Sequence, residues 1–86
     1  MSVTSTAELS LAQLLAVPYL LDVSAGPGPD GTWVCRLAYP ELPGCVAESR
    51  DPLLALDDLE RQREEWLTGR LAAGLPCPVP RPPLRA

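Results

Sequence analysis

The sequence predicts an α+β fold: a small antiparallel sheet of three to four strands, covered on one face by one long helix, in the order β-β-β-α-β. Three observations predict it. Residues 33–39, Trp-Val-Cys-Arg-Leu-Ala-Tyr, alternate between large apolar and other side chains, the period of a half-buried strand. Pro40-Glu41-Leu42-Pro43-Gly44-Cys45 follows at once. Its prolines have φ fixed near −65° and no N–H, so neither suits a central ladder, and Gly44 is free to take positive φ. That combination reads as a tight reversal between two strands. Finally, Asp51-Pro52 opens a leucine-rich stretch with helical spacing, pairing an N-capping carboxylate with a proline at the first helical position.

Taken in order, the chain starts with its least specified stretch. Ser5-x-x-Glu8 fits a capping box, and Leu11, Leu14 and Leu15 fall on one side of a helix over about residues 6–16. A helix this short is marginal without packing. A frayed or loosely packed tail is therefore the favoured reading, ahead of a docking helix or extra residues from an early start codon. Residues 19–24 read as the first strand, with Tyr19, Leu21 and Val23 on one face and Leu20, Asp22 and Ser24 on the other. Gly26-Pro27-Gly28-Pro29-Asp30-Gly31 is a turn by composition, too long for a two-residue hairpin. It lacks the Lys-Ser/Thr and the helix start of a phosphate-binding loop.

The second strand spans residues 32–38, with Trp33, Cys35, Leu37 and Tyr39 on one face and Arg36 on the other. Residues 46–48 form a brief third. The helix then presents Leu53, Leu56, Leu59, Trp66, Leu67 and Leu71 on one broad stripe. Arg63 and Arg70 interrupt it and are expected to lay their stems on the sheet and lift their guanidinium groups outward. Asp57, Asp58, Arg61, Glu64 and Glu65 occupy the opposite side, with Asp57–Arg61 and Arg61–Glu65 at pairing distance along the helix. Gly74 is the expected stop. Beyond it, Pro76-Cys77-Pro78-Val79-Pro80-Arg81-Pro82-Pro83 excludes a helix and reads as a solvated, polyproline-like tail. Pro80-x-x-Pro83-x-Arg85 also fits a proline-rich ligand motif, a frequent chance match in so proline-heavy a chain.

Composition bounds what this chain does. Eighty-six residues, 47% of them apolar, build one domain with a thin core, which an oligomer or a partner is expected to supplement. The absence of Lys, Ile, Asn, Phe and His beside abundant Ala, Leu, Pro, Gly and Arg resembles the codon bias of a GC-rich genome. A net charge of −4 disfavours autonomous nucleic-acid binding and suits a basic partner. No apolar run reaches bilayer length, and no cationic leader is evident, so a cytoplasmic location is expected. Cys35, Cys45 and Cys77 make an odd count without Cys-x-x-Cys spacing and read as buried free thiols, with Cys35 and Cys45 as candidate neighbours across strands.

The order of Tyr19, the Asp30-Gly31 turn, the strand at 33–38, the Pro40-Glu41-Leu42-Pro43-Gly44-Cys45 turn and the helix over 51–67 resembles the HicB antitoxin family of bacteria. The resemblance covers about residues 18–80, and the turn is its most specific part. It implies an N-terminal domain with part of the ribonuclease H fold at 18–75, preceded by an extension at 1–17. A proline-rich tail at 76–86 follows, with a short edge strand near 77–79. It further implies an antitoxin of a type II toxin–antitoxin pair, binding a small basic HicA-type toxin that cleaves mRNA and covering its catalytic histidine. Tyr39 and Leu42 are the expected buried anchors of that contact, and Asp57, Asp58, Glu64 and Glu65 its steering charges. The helix-turn-helix or ribbon-helix-helix segment that many members carry has no counterpart after Gly74, so no direct DNA binding is expected.

Catalysis is not expected. Without histidine, Ser-His-Asp and Cys-His chemistry is excluded. The acidic clusters Asp57-Asp58-x-Glu60 and Glu64-Glu65 lie on one helix, and Asp22 alone on a strand does not rebuild a ribonuclease H site, so neither metal nor cofactor is anticipated. The alternatives are a stand-alone interaction module of the same fold without a toxin, and a degenerate nuclease relative.

Overall fold

The computed structural model describes residues 9–84. Its elements are α1 (Leu11–Leu15), β1 (Asp22–Pro27), β2 (Trp33–Ala38), β3 (Val46–Ser49) and α2 (Pro52–Ala72). The strands form one antiparallel sheet in the order β1-β2-β3, and α2 packs on β2 and β3. The α+β architecture, with a short N-terminal helix, is as the sequence predicts. No fourth strand forms among the described residues. Pro76, Pro78 and Pro80 remove every second donor, and the Pro78 carbonyl accepts a hydrogen bond from Tyr19 Oη at 2.7 Å instead of joining a ladder.

β1 starts three residues later than expected. The register pairs Asp22 with Ala38 and Pro27 with Trp33, so residues 19–21 lie beyond the ladder, opposite the turn that follows β2. Tyr19 is still buried, but Leu21 and Val23 are exposed. Val23 pairs with buried Leu37 and therefore shares its face. Because α2 covers only the other two strands, that face is dry over Leu37 and Ala47 and open over Val23.

The long helix starts and stops where the sequence says it does. Asp51 accepts the Leu53 N–H at 2.9 Å, with Pro52 in the first turn. At the other end Gly74 takes φ +69°, and bonds from Gly74 N–H to the Leu71 carbonyl and from Leu75 N–H to the Arg70 carbonyl close a Schellman motif. Its stripe is narrower than predicted. Ala55, Leu59 and Leu67 are buried, while Leu56, Trp66 and Leu71 flank the core. Leu53 is 70% exposed, although Ala55 in the same turn is buried.

The two ends of the described chain are not loose. α1 is capped by Ser10, whose Oγ accepts from Gln13 N–H while Gln13 Oε1 accepts from Ser10 N–H. The Ser5–Glu8 box lies outside the described residues. Leu14 and Val17 are fully buried, so this segment is part of the core and not a frayed tail. The proline-rich segment is likewise anchored and not a solvated tail. Cys77 is buried, Arg81 Nη1 donates to the Pro18 carbonyl at 3.0 Å, and Leu84 N–H donates to the Ala16 carbonyl at 2.8 Å. A thin α/β layer leaves one end of its core open, and these two segments close it.

Candidate functional site

The turn at 40–45 is built from the inside. Leu42 N–H donates to the Tyr39 carbonyl (2.9 Å), Cys45 N–H to the Leu42 carbonyl (3.1 Å), and Tyr39 N–H to the Cys45 carbonyl (3.0 Å). Gly44 sits at φ +89°, a conformation that side chains rarely adopt. These bonds turn the Leu42 side chain inward, where it is fully buried beside Tyr39 and Cys45, while Pro40, Pro43 and Gly44 stay on the surface. Cys45 stands opposite Tyr39, and Cys35 pairs with Ser49, so the two cysteines are not cross-strand neighbours. Cys35 and Cys45 are free thiols. Cys35 is half-buried, and burial pushes the Cys45 thiol above its ordinary pKa.

Glu41 does the linking. Its carboxylate accepts two bonds from Arg81, at 3.0 and 3.2 Å, and one from Leu20 N–H at 2.8 Å. The Arg81 bonds, then the Leu20 N–H, hold that carboxyl below its usual range. One turn residue thereby fastens both the entry to β1 and the proline-rich segment.

Behind the turn lies a polar cluster that sequence reasoning missed. Tyr39 Oη donates to Glu60 Oε2 (2.7 Å), and Arg63 Nη2 donates to Glu60 Oε1 (2.8 Å). Arg63 Nη1 reaches the Leu15 carbonyl at the end of α1 (3.0 Å), with its guanidinium carbon 5.5 Å from the Tyr39 ring centroid. The Tyr19 ring meets Tyr39 edge-on at 6.3 Å. Arg63 does not lift its charge outward as expected: its side chain is only 15% exposed, because α1 closes over it. Its Nε is buried without a hydrogen-bond partner. The one available signal was an arginine in the middle of an apolar stripe. Arg70, by contrast, lies over the Trp66 ring at 4.6 Å. The Tyr39 hydroxyl is engaged with the Glu60 carboxylate and the Tyr19 hydroxyl with the Pro78 carbonyl, an arrangement that ties distant segments together.

The acidic side of α2 is where the sequence places it. Asp57, Glu64 and Glu65 are exposed and Asp58 half-exposed. Arg61 pairs with Asp58 and with Glu65, not with Asp57 as anticipated. The Arg61 bond holds the Asp58 carboxyl low. Of the residues expected to contact a partner, the structure thus puts the four carboxylates on the surface. Tyr39 and Leu42 are inside the core and offer no contact surface. Among the described residues no group of three or more His, Cys, Asp or Glu side chains converges as a metal site, and no helix is long and apolar enough to cross a membrane.

The two tyrosines make an alkaline signature. Burial raises both phenols to about 12, helped at Tyr39 by its bond to Glu60 and at Tyr19 by Cys77. A group raised above its unfolded value near 10 contributes stability that is complete below pH 10 and lost as pH climbs through 12. Burial also raises the Cys45 and Cys77 thiols, so they add to the same alkaline loss. Urea midpoints are therefore expected to fall between pH 9.5 and about 11.5, and Tyr39→Phe to flatten the fall. An equal fall in Tyr39→Phe would exclude this tyrosine as a cause.

Compared with known proteins, the chain matches no protein-family model, no curated protein and no solved structure.

Proposed function

We propose that this chain is a HicB-like antitoxin, a non-catalytic protein that binds a small basic HicA-type toxin and occludes its mRNA-cleaving site. The observation that carries the reading is the acidic outer side of α2. Asp57, Asp58, Glu64 and Glu65 stand on one helix, with Arg61 as the single cation among them, in a chain of net charge −4. The helix is held from below by the sheet and from the side by the Arg63 cluster, so the charges sit on a fixed support. The order of strands, the Pro40–Cys45 turn and the helix support the same reading, as does the lack of histidine. The work assigned to the chain is covering a surface.

Charges at the rim of such a contact steer encounter more than they set residence time, and salt screens them over roughly 8 Å at physiological ionic strength. Joint replacement Asp57→Asn, Asp58→Asn, Glu64→Gln and Glu65→Gln is expected to slow association with a small basic toxin of the HicA type by about 10- to 100-fold at low salt. The salt dependence flattens and dissociation changes little. Kinetic binding measurements at two salt concentrations decide it. An unchanged association rate returns this face to a solvated surface, and no binding by the unaltered chain favours a stand-alone interaction module.

A further inference from the structure

The two edges of the sheet are treated differently. The Tyr39–Cys45 bond, carried along the β2–β3 register, makes Ala47 and Ser49 the residues whose amides face β2. Val46 therefore turns its N–H and carbonyl to the outside. Gln62 takes both: its Oε1 accepts from Val46 N–H at 3.1 Å and its Nε2 donates to the Val46 carbonyl at 2.8 Å. A side-chain amide thus stands in for a neighbouring strand at Val46, whereas Glu48, the other outward residue of this short strand, has no backbone partner on that side among the described residues.

β1 has no such cover. Gly28 N–H donates to the Thr32 carbonyl, and the same register makes Asp22, Ser24 and Gly26 face β2. Val23 and Ala25 therefore direct their N–H and carbonyl groups outward, where neither has a backbone partner among the described residues. Edge strands of soluble proteins are usually blunted by shortness, charge, proline, a bulge or a cover, and on β1 only the last outward position, Pro27, is so treated. Here Asp22 is the one charge on the strand, and Pro27, which needs no donor partner, ends it. Val23 is 65% exposed and Trp33, across from Pro27, is 67% exposed on the same face.

We propose that the β1 edge pairs antiparallel with β1 of a second copy of this chain, about a two-fold axis at Ser24, to give a continuous six-stranded sheet. Val23 then stands opposite the partner's Ala25 in a hydrogen-bonded pair, twice over, and Leu21 N–H meets the Pro27 carbonyl at each end. Roughly six inter-chain bonds result. Parity is satisfied, because every amide used is one that points outward. Asp22 falls opposite Gly26, so no like charges face each other. On the helix side, Cys35, Ala25 and then the partner's Val23 and Leu37 form one apolar row across the seam, repeated by symmetry. Strand pairing of this length buries on the order of 500 Å² per protomer, short of the ~800 Å² of a standard interface. The dimer accordingly dissociates in the micromolar range.

Sedimentation equilibrium of the full chain, from about 1 to about 300 μM, tests this. The average mass is expected to rise from 9.2 kDa toward twice that value. Ala25→Pro removes an outward donor without touching the β1–β2 ladder, and Val23→Lys places a charge on the seam. Each is expected to weaken association at least tenfold with an unchanged far-UV spectrum; if Ala25→Pro fails to fold, Val23→Lys decides, since that side chain is already exposed. The register has its own test. Opposed residues of a non-hydrogen-bonded pair lie about 4.5 Å apart at Cα, within disulfide range, so Ser24→Cys is expected to cross-link to itself under mild oxidation. Peptide mapping separates that link from the native cysteines. A chain that stays at 9.2 kDa throughout, as it would if its own residues 1–8 covered the edge, overturns the proposal. So does a Val23→Lys variant that associates like the wild type, or a Ser24→Cys variant that fails to cross-link through residue 24.

Discussion

Leu42→Ala is expected to cost about 3 kcal/mol of stability and to lower the urea midpoint markedly. Leu42 is the only residue of the 40–45 turn other than Cys45 to be buried, and it is buried completely. Truncation removes its apolar contacts and leaves a cavity that cannot collapse, because three backbone bonds and the positive φ of Gly44 fix the turn around it. For a domain of this size, total stability is on the order of 4–13 kcal/mol, so a loss of that magnitude is a large share of it. Pro43→Ala, one residue away and exposed, is the control, with an expected change within about 0.5 kcal/mol. Urea unfolding followed by circular dichroism gives both numbers. Equal midpoints for the two variants would mean that the turn is held by its backbone alone.

Arg63→Ala is expected to destabilise by about 2–3 kcal/mol and, more specifically, to free α1. The guanidinium bridges the Leu15 carbonyl, the Glu60 carboxylate and the Tyr39 ring. Its removal leaves the Leu15 carbonyl short of its donor, a source of about 1–3 kcal/mol, and takes from partly exposed Glu60 an ion pair that solvent screening holds to at most about 1 kcal/mol. The gain from no longer burying an arginine offsets part of this, which is why the expected loss is below that of a broken buried ion pair. Hydrogen exchange at residues 11–15 supplies a local readout. Those amides are expected to exchange faster in Arg63→Ala while β2 changes far less. Arg63→Lys recovers only part of the loss, since an ammonium lacks the fork that spans two acceptors. Unchanged protection of α1 would assign its docking to Leu14 and Val17 alone.

Much of the fold is legible in the sequence because it follows from local rules. Asp51-Pro52 and Gly74 delimit α2 through the orphan amides and carbonyls of any helix end. Alternation in residues 33–38 and the Pro-Gly chemistry of 40–45 set a strand and a reversal whatever lies around them. The acidic side of α2 is equally local, being a matter of spacing. Where the reading fails, the missing information is non-local. Tyr19, Leu21 and Val23 share an alternation, yet only Tyr19 is buried, because α2 covers two strands of three.

The same division runs through the candidate site. By itself the sequence determined the order of three strands and a long helix, the end points of that helix and the sign of its exposed side, since each depends on residues within a turn or two of one another. Only the tertiary structure decided which polar side chains turn inward. Arg63 buries its charge because α1 closes over it, Glu41 becomes a clamp because Arg81 arrives from forty residues away, and Gln62 caps one residue of a sheet edge because α2 passes beside Val46. A polar side chain in isolation prefers water. It goes inside only when partners brought by distant segments replace the hydrogen bonds it gives up.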